Sequence, residues 1–335
     1  MRVFKLKFLG PLHVDSKGSG EPETVEEFIR SDTLSAALCL AWSAIYREDE
    51  SIFLNPPFLV SSAFPYIGET LLFPVPVWNF WQDMDVKDRK KAKTVRWITQ
   101  DLFEDVLSGK QVNFKKVKIP SPGVAVSSSE FSRNPAFNEI QTWVISERQR
   151  VSVERLGTAA EGNLFFFALQ FFGPESGLYF LVDVAERELR KMRNVLNYLG
   201  DTGIGADRNS GLGHFRVAAE QEFNLPVPGK SKGWFTLSLF NPGSNDDFSR
   251  LDHNAAYDLT VRSGWISGST IGRPPVRTFS EGSFFLDKPT GRVIPLIDGD
   301  TKKRYGLRIN HSAPRDFRAF SVPCTEPPFL KEKTQ

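Results

Sequence analysis

The sequence predicts an α+β chain whose first part follows a ferredoxin-like (RRM-like) βαββαβ outline with a long insertion, and three observations carry that prediction. Residues 2–9 alternate basic and apolar as R-V-F-K-L-K-F-L, the period-two pattern of a half-buried strand. Two apolar stripes have helical spacing, one at Leu34, Leu38, Ala41 and Ile45 and one at Leu189, Met192, Leu196 and Leu199. Strand-like runs at 164–172, 178–182 and 215–223 complete the outline.

In chain order, residues 2–9 are the first strand. Ser31 and Asp32 offer N-cap oxygens to the first helix. Pro56, Pro57, Pro65, Pro74 and Pro76 punctuate the next stretch, where 58–60 and 70–73 read as edge strands. From 78 to about 150 the pattern becomes charged and proline-broken, which reads as an insertion. A Gly173-Pro174 turn separates the next two strands, and Asp183 with Glu186 resembles a capping box for the second helix. After Pro226 and Pro228 the chain turns strand-rich, with candidate strands at 234–240, 257–266 and 283–286. The expected division is therefore 1–225, carrying the insertion, and 226–335.

At 335 residues there is room for two domains, each able to bury its own core. The absence of a long apolar run argues against a membrane span or secretory signal, so a soluble cytoplasmic protein without membrane contact is expected. Cys39 and Cys324 stand far apart with no neighbouring histidines, against a disulfide framework or a zinc site; no cofactor and no metal is expected. A net charge of +2 does not announce a nucleic-acid binder. Its distribution says more, because between Lys87 and Lys118 ten Lys or Arg meet four Asp or Glu, with Lys90, Lys91 and Lys93 in the densest part. A solvated helix face and an RNA-steering surface both fit that excess.

Residues 203–213 read G-I-G-A-D-R-N-S-G-L-G. Gly203, Gly205, Gly211 and Gly213 bracket five small or polar residues, among them Arg208, Asn209 and Ser210, and His214 follows. Glycines admit positive φ and let backbone N–H groups approach a phosphate, while Arg208 can fork to phosphate oxygens or stack on a base. The plainer alternative is a tight helix-to-strand turn. A dinucleotide site has its G-x-G-x-x-G after a strand and opening a helix, and a P-loop ends in Gly-Lys-Ser or Gly-Lys-Thr; this segment does neither.

A helix followed by G-φ-G-x5-G-φ-G, with a basic residue among the five, resembles the signature loop of the RAMP superfamily of CRISPR-associated RNA-binding proteins. Other phrases resemble one family within it, the fourth subunits of type III-A Csm interference complexes. They are S-D-T-L-S-A-A-L at 31–38, S-S-A-F-P-Y at 61–66, F-P-V-P at 73–76, R-V-S-V-E-R at 150–155, A-E-G-N-L-F at 160–165, R-S-G-W-I at 262–266 and S-E-G-S-F at 280–284. Residues 78–118 carry no such phrase, so Lys90, Lys91 and Lys93 rest on charge alone. The resemblance implies ferredoxin-like folds in both parts and a non-catalytic subunit that caps the foot of the guide filament and holds the repeat-derived 5′ tag of the crRNA. It further implies a β-hairpin thumb drawn from the insertion ending near Arg150. The implied neighbours are the large polymerase-like subunit and a backbone RAMP subunit, with target RNA met indirectly. The RNA-binding residues it points to are those of the loop with His214, joined by Arg150 and Arg155. Phe131, Phe137 and Trp143 are either stacking surfaces or core.

Catalysis is the rival reading, since the same superfamily contains repeat-cutting endoribonucleases that use a histidine as acid or base. His13, with Asp15 nearby as an orienting carboxylate, is the candidate; a structural histidine is the alternative. His214 abuts the glycine loop, and His253 and His311 read as exposed. No G-x-S-x-G, H-E-x-x-H or D-x-D-x-D-G motif is present, so no enzyme is expected. A protein-interaction scaffold without RNA is a third reading, one that leaves the arginine-bearing loop unexplained.

Overall fold

The computed structural model describes residues 1–15, 22–138, 142–151, 164–247, 255–266, 271–304 and 312–327. Strand β1 (Arg2–Phe8) turns Phe4, Leu6 and Phe8 to one face, as its period requires. The expectation of a half-buried strand fails on the other face, where Val3 is 1% and Lys5 4% exposed. A second core covers that face. The Lys5 stem packs into it while its ammonium reaches Glu69 at 2.8 Å and the Gly68 carbonyl at 3.2 Å.

Helix α1 (Ser31–Tyr46) buries Leu34, Leu38 and Ala41 as the stripe predicts. The predicted cap is not formed. Arg30 takes the N-cap position without a side-chain bond, and Ser31 and Asp32 are helical. Their oxygens go to distant partners instead: Ser31 Oγ accepts from Leu239 N at 3.0 Å, and the Asp32 carboxylate accepts from Arg262 and Arg315. After the short α2 (Ser51–Leu54) come β2 (Phe58–Val60), β3 (Phe64–Ile67) and β4 (Thr70–Pro74). β2 lies at an edge, but β4 does not, being paired to β3 and to a strand of the following segment.

That segment, read as an insertion, extends the same sheet. It holds β5 (Trp81–Gln82), α3 (Val86–Ala92), β6 (Trp97–Thr99), α4 (Gln100–Leu107), β7 (Val112–Asn113), β8 (Val117–Ser121), β9 (Val124–Ser127) and α5 (Ser128–Arg133). Next, β10 (Trp143–Val151) and β11 (Leu164–Phe172) pair antiparallel along their whole lengths. β12 (Ser176–Val184), α6 (Glu186–Thr202) and β13 (Phe215–Glu222) follow. The capping box expected at Asp183 and Glu186 is also absent: Asp183 stays in β12 opposite Leu59, and Ala185 is the N-cap.

The sheet runs β13-β1-β12-β3-β4-β6-β9-β8, with β2 beside β3 on the same edge of β12. Pairing is antiparallel except between β6 and β9. Helices α1 and α6 cover one face, where Leu189, Met192, Leu196 and Leu199 meet Phe4, Leu6, Phe180 and Val182. On the other face Val3, Phe64, Phe73 and Tyr179 share a core with Phe235, Phe284, Phe320 and Val322 from beyond residue 225. The connection at Phe223 and Leu225 is itself buried. Among the described residues the part after 225 consists of short strands, four of them forming one sheet (255–256, 284–285, 233–236, 321–324), and one six-residue helix, Gly299–Arg304.

Candidate nucleic-acid interface

The glycine loop joins α6 to β13 at the outer edge of the sheet. All four glycines adopt positive φ, between 71° and 92°, so each position favours glycine before any ligand is considered. Three have a further reason, which lies within the protein. A Cβ at Gly203 would stand 2.7 Å from the Leu212 carbonyl oxygen, and at Gly205 or Gly213 it would collide with the carbonyls of His13 or Ile204. At Gly211 it would meet nothing within 4 Å. Space for an approach to the backbone is therefore open only at Gly211; Gly205 closes on His13, and Gly203 and Gly213 close on Leu212 and Ile204 across the loop itself.

Hydrogen bonds fix the same frame. Ile204 N donates to Gly213 O at 3.0 Å, Ala206 N to His13 O at 3.0 Å and Gly213 N to Pro11 O at 2.9 Å. Arg208, Asn209 and Ser210 then form one 3-10 turn, closed by Gly211 N donating to Arg208 O at 3.0 Å. None of these bonds uses the N–H groups of Asp207, Arg208 or Asn209. Arg208, Asn209, Ser210 and Gly211 are exposed, while Ile204 and Leu212 anchor the loop as buried side chains. The tip is held out by its own base.

Of the flanking candidates, Arg150 is brought to the loop. Its guanidinium pairs with the Asp207 carboxylate and lies 4.2 Å from the Phe167 ring centroid. Arg150, one pair from the Val151–Leu164 end of the β10–β11 ladder, thus braces the loop and neutralises its one acid, leaving Arg208 without an ion-pair partner among the described residues. Arg155, His253 and His311 lie outside the described residues. His214 Nε2 lies 3.2 Å from the Arg208 carbonyl oxygen, so its ring supports the turn from within. His13 is 3% exposed, its Nδ1 is 2.7 Å from Ala168 O and its ring packs 4.3 Å from Phe167, contacts that fit a structural histidine.

The remaining expectations fall elsewhere. Lys90, Lys91 and Lys93 are exposed on and just after α3, which has no buried residue. α3 leads into β6, five strands from β13 across the sheet. At about 4.8 Å per strand that is roughly 24 Å, so the basic helix and the loop are separate places on the surface. Phe137 is buried, and Phe131 and Trp143 are half-buried against the same core.

Sequence reasoning did not find the wall opposite the loop. A cleft of ≈ 720 Å³ is lined by the 203–209 loop, the outer face of α1, and Arg262, Trp265, Arg273 and Arg315. Arg262 was visible only as the first letter of R-S-G-W-I, and Arg273 and Arg315 carry no local signal. The cationic wall is assembled from segments about 10 to 50 residues apart in the chain.

The family model of the RAMP superfamily matches residues 5–216, more than half of the chain and inclusive of the entire glycine loop. The chain belongs to the RAMP superfamily. A second model, the CRISPR Csm4 C-terminal domain, matches residues 229–310, so this RAMP chain carries a Csm4-type C-terminal part. Its relatives include the "CRISPR system Cms protein Csm4" of Thermococcus onnurineus, 27% identical over 279 residues, covering 78% of this chain and 83% of that one. The protein of the same name from Mycobacterium tuberculosis is 23% identical over 287 residues, covering 82% and 86%. Among solved structures, a chain of the Csm3–Csm4 subcomplex of the type III-A CRISPR-Cas interference complex superposes with a TM-score of 0.66 at 14% identity, covering 96% and 99%. A chain of the Csm1–Csm4 cassette in complex with pppApA gives 0.60 at 20%, covering 98% of each. These likenesses show a fold shared over nearly the full length of the chain. No helix among the described residues is long and apolar enough to cross a membrane.

Proposed function

We propose that this RAMP chain is the Csm4-type subunit of a type III-A CRISPR-Cas interference complex, and that it holds the repeat-derived 5′ tag of the crRNA without cutting it. The observation that carries the reading is the loop tip: Arg208 to Gly211 stand exposed on a frame fixed by three other glycines, with the neighbouring acid neutralised by Arg150. Such a tip offers one exposed cation, and N–H groups that the loop's own hydrogen bonds leave unused, to a phosphodiester, the sequence-independent half of single-strand recognition. The strand order β13-β1-β12-β2, antiparallel throughout with α1 and α6 on one face, supports a ferredoxin-like reading of the N-terminal part. The β10–β11 pair, which touches the loop through Arg150 near the far end of its ladder, is the element suited to act as the thumb.

The neighbours proposed are the large polymerase-like subunit and a backbone RAMP subunit, as the Csm1–Csm4 and Csm3–Csm4 structures have them for their own chains. Target RNA is met through the guide. The His13 and His214 rings each meet one of the protein's own carbonyls, which supports reading them as structural.

Binding of labelled single-stranded repeat RNA by the full chain, followed across a salt series, tests the reading. Arg208→Ala should weaken binding by roughly 1–3 kcal/mol and flatten the log–log salt slope by about 0.7, with an unchanged melting temperature. The RNA should stay intact with and without divalent metal. Identical affinity and slope in the variant would show that the loop is only a turn, and cleavage lost in His13→Ala would make the chain a nuclease.

A further inference from the structure

Across the cleft from the glycine loop, three guanidiniums gather around one buried carboxylate. Arg262 reaches Asp32 at 3.2 Å and Arg315 reaches it at 3.1 Å, with Asp32 fully buried and both arginines 5% exposed or less. Arg273 lines the same wall and has no ion-pair partner among the described residues. The Nε atoms of Arg273 and Arg315 are both buried without a hydrogen-bond partner. Burial, and then Arg315 close by, lowers the Arg273 guanidinium to about 10. It stays charged at neutral pH, so the shift marks a cation short of counter-charge.

Two buried arginine Nε donors without partners make a costly arrangement for a closed interior, because each forfeits its hydration. It is a sensible one for a wall that receives an anion. The third feature of the wall is Trp265, 52% exposed in a chain whose indoles are otherwise mostly buried. Backbone pairing holds Trp265 opposite Gly272, and Arg273 N donates to Gly264 O at 2.7 Å. Both the indole and the guanidinium line the cleft from this paired segment.

We propose that this wall is a nucleotide subsite, in which Arg273 and Arg315 take a phosphodiester oxyanion and Trp265 stacks on the attached base. The proposal deepens the RNA reading above and rests on it for the identity of the ligand, but it concerns residues on the opposite side of the cleft from the loop. Planar forked donors suit phosphate oxygens, and an exposed indole suits a base of any sequence. Strand passing between the loop and this wall would be gripped from both sides.

Three full-length proteins decide it: wild type, Arg273→Gln and Trp265→Leu, each measured by anisotropy of labelled single-stranded repeat RNA over a salt series. Melting temperature with and without inorganic pyrophosphate is the second readout. Arg273→Gln leaves Asp32 with both of its partners, so it should fold and melt no lower than wild type in the absence of anion. Its RNA affinity should fall about tenfold and its salt slope flatten by about 0.7, while Trp265→Leu should lose affinity with an unchanged slope. Pyrophosphate should raise the melting temperature of wild type and not of Arg273→Gln. If wild type binds RNA and Arg273→Gln binds it with the same affinity and slope, the subsite is overturned while the loop reading stands. If wild type binds no RNA, the RNA reading fails, and the pyrophosphate arm decides the subsite alone: a rise confined to wild type upholds an anion site, and an equal rise or none overturns it.

Discussion

Gly205 and Gly211 share a positive φ yet differ in what surrounds them, and their replacement separates scaffold from contact. A Cβ at Gly205 would strike the His13 carbonyl, whereas at Gly211 it would point into open space. Gly205→Val should therefore lower the melting temperature sharply, since strain and collision add. Gly211→Ala should cost only the left-handed backbone penalty, about 1–2 kcal/mol, and lose RNA affinity beyond that by crowding the exposed tip. Thermal denaturation of both variants checks this, and equal destabilisation would mean that the tip is packed rather than open. The residue identities of this loop were fully legible in the sequence. Its hydrogen bonds were not, because His13 and Pro11, which receive the loop's N–H groups, lie about 190 residues earlier in the chain.

Among the elements, periodicity located the strands and helices well, and local capping chemistry misled. The α6 stripe is buried as its spacing demands, yet neither predicted cap forms, because Ser31, Asp32 and Asp183 are claimed by tertiary contacts or by a strand. The capping box that does form is at Asp85 and Asp88 of α3, on an exposed helix where nothing competes. That helix also carries the basic excess. Replacing Lys90, Lys91 and Lys93 together by glutamate should leave the melting temperature within about 0.5 kcal/mol of stability, since no α3 residue is buried. It should lower RNA affinity or assembly with the guide. Titration at two salt concentrations checks it; affinity, slope and assembly all unchanged would identify α3 as a solvated face.

At the scale of the whole molecule, Asp32 holds the two parts of the chain together. Burial alone raises its pKa, but Arg262, Arg315 and Arg30 outweigh burial and hold it well below the usual carboxylate range. The carboxylate sits on α1 and its two direct partners come from the part after 225. Ser35 donates to Asp316 at 2.9 Å and Arg30 to Glu281 at 2.8 Å across the same boundary. Asp32→Asn removes the carboxylate partner of buried Arg315 and the nearer one of Arg262, which keeps Glu26 at 4.0 Å, and should cost about 3–5 kcal/mol. The sign of the pH effect follows from the depressed pKa. Below about pH 4 the unfolded chain takes up a proton at this position and the folded chain does not, so stability falls as the pH falls. Urea denaturation between pH 7 and pH 3 should show a shallower decline in Asp32→Asn than in wild type, and parallel curves would remove Asp32 from the linkage.

What the sequence determined by itself is what local pattern encodes: the period-two strands, the two helical stripes and the order in which they follow one another. The glycine loop belongs with these, since a run of eleven residues carries both its flexibility and its cation. Tertiary structure alone decided that residues 97–127 extend the main sheet, that the second face of β1 is covered, and that a cationic wall faces the loop. The physical reason is distance along the chain. Asp32, Arg262, Arg273 and Arg315 leave no periodic trace when read singly; only folding places them around one buried carboxylate.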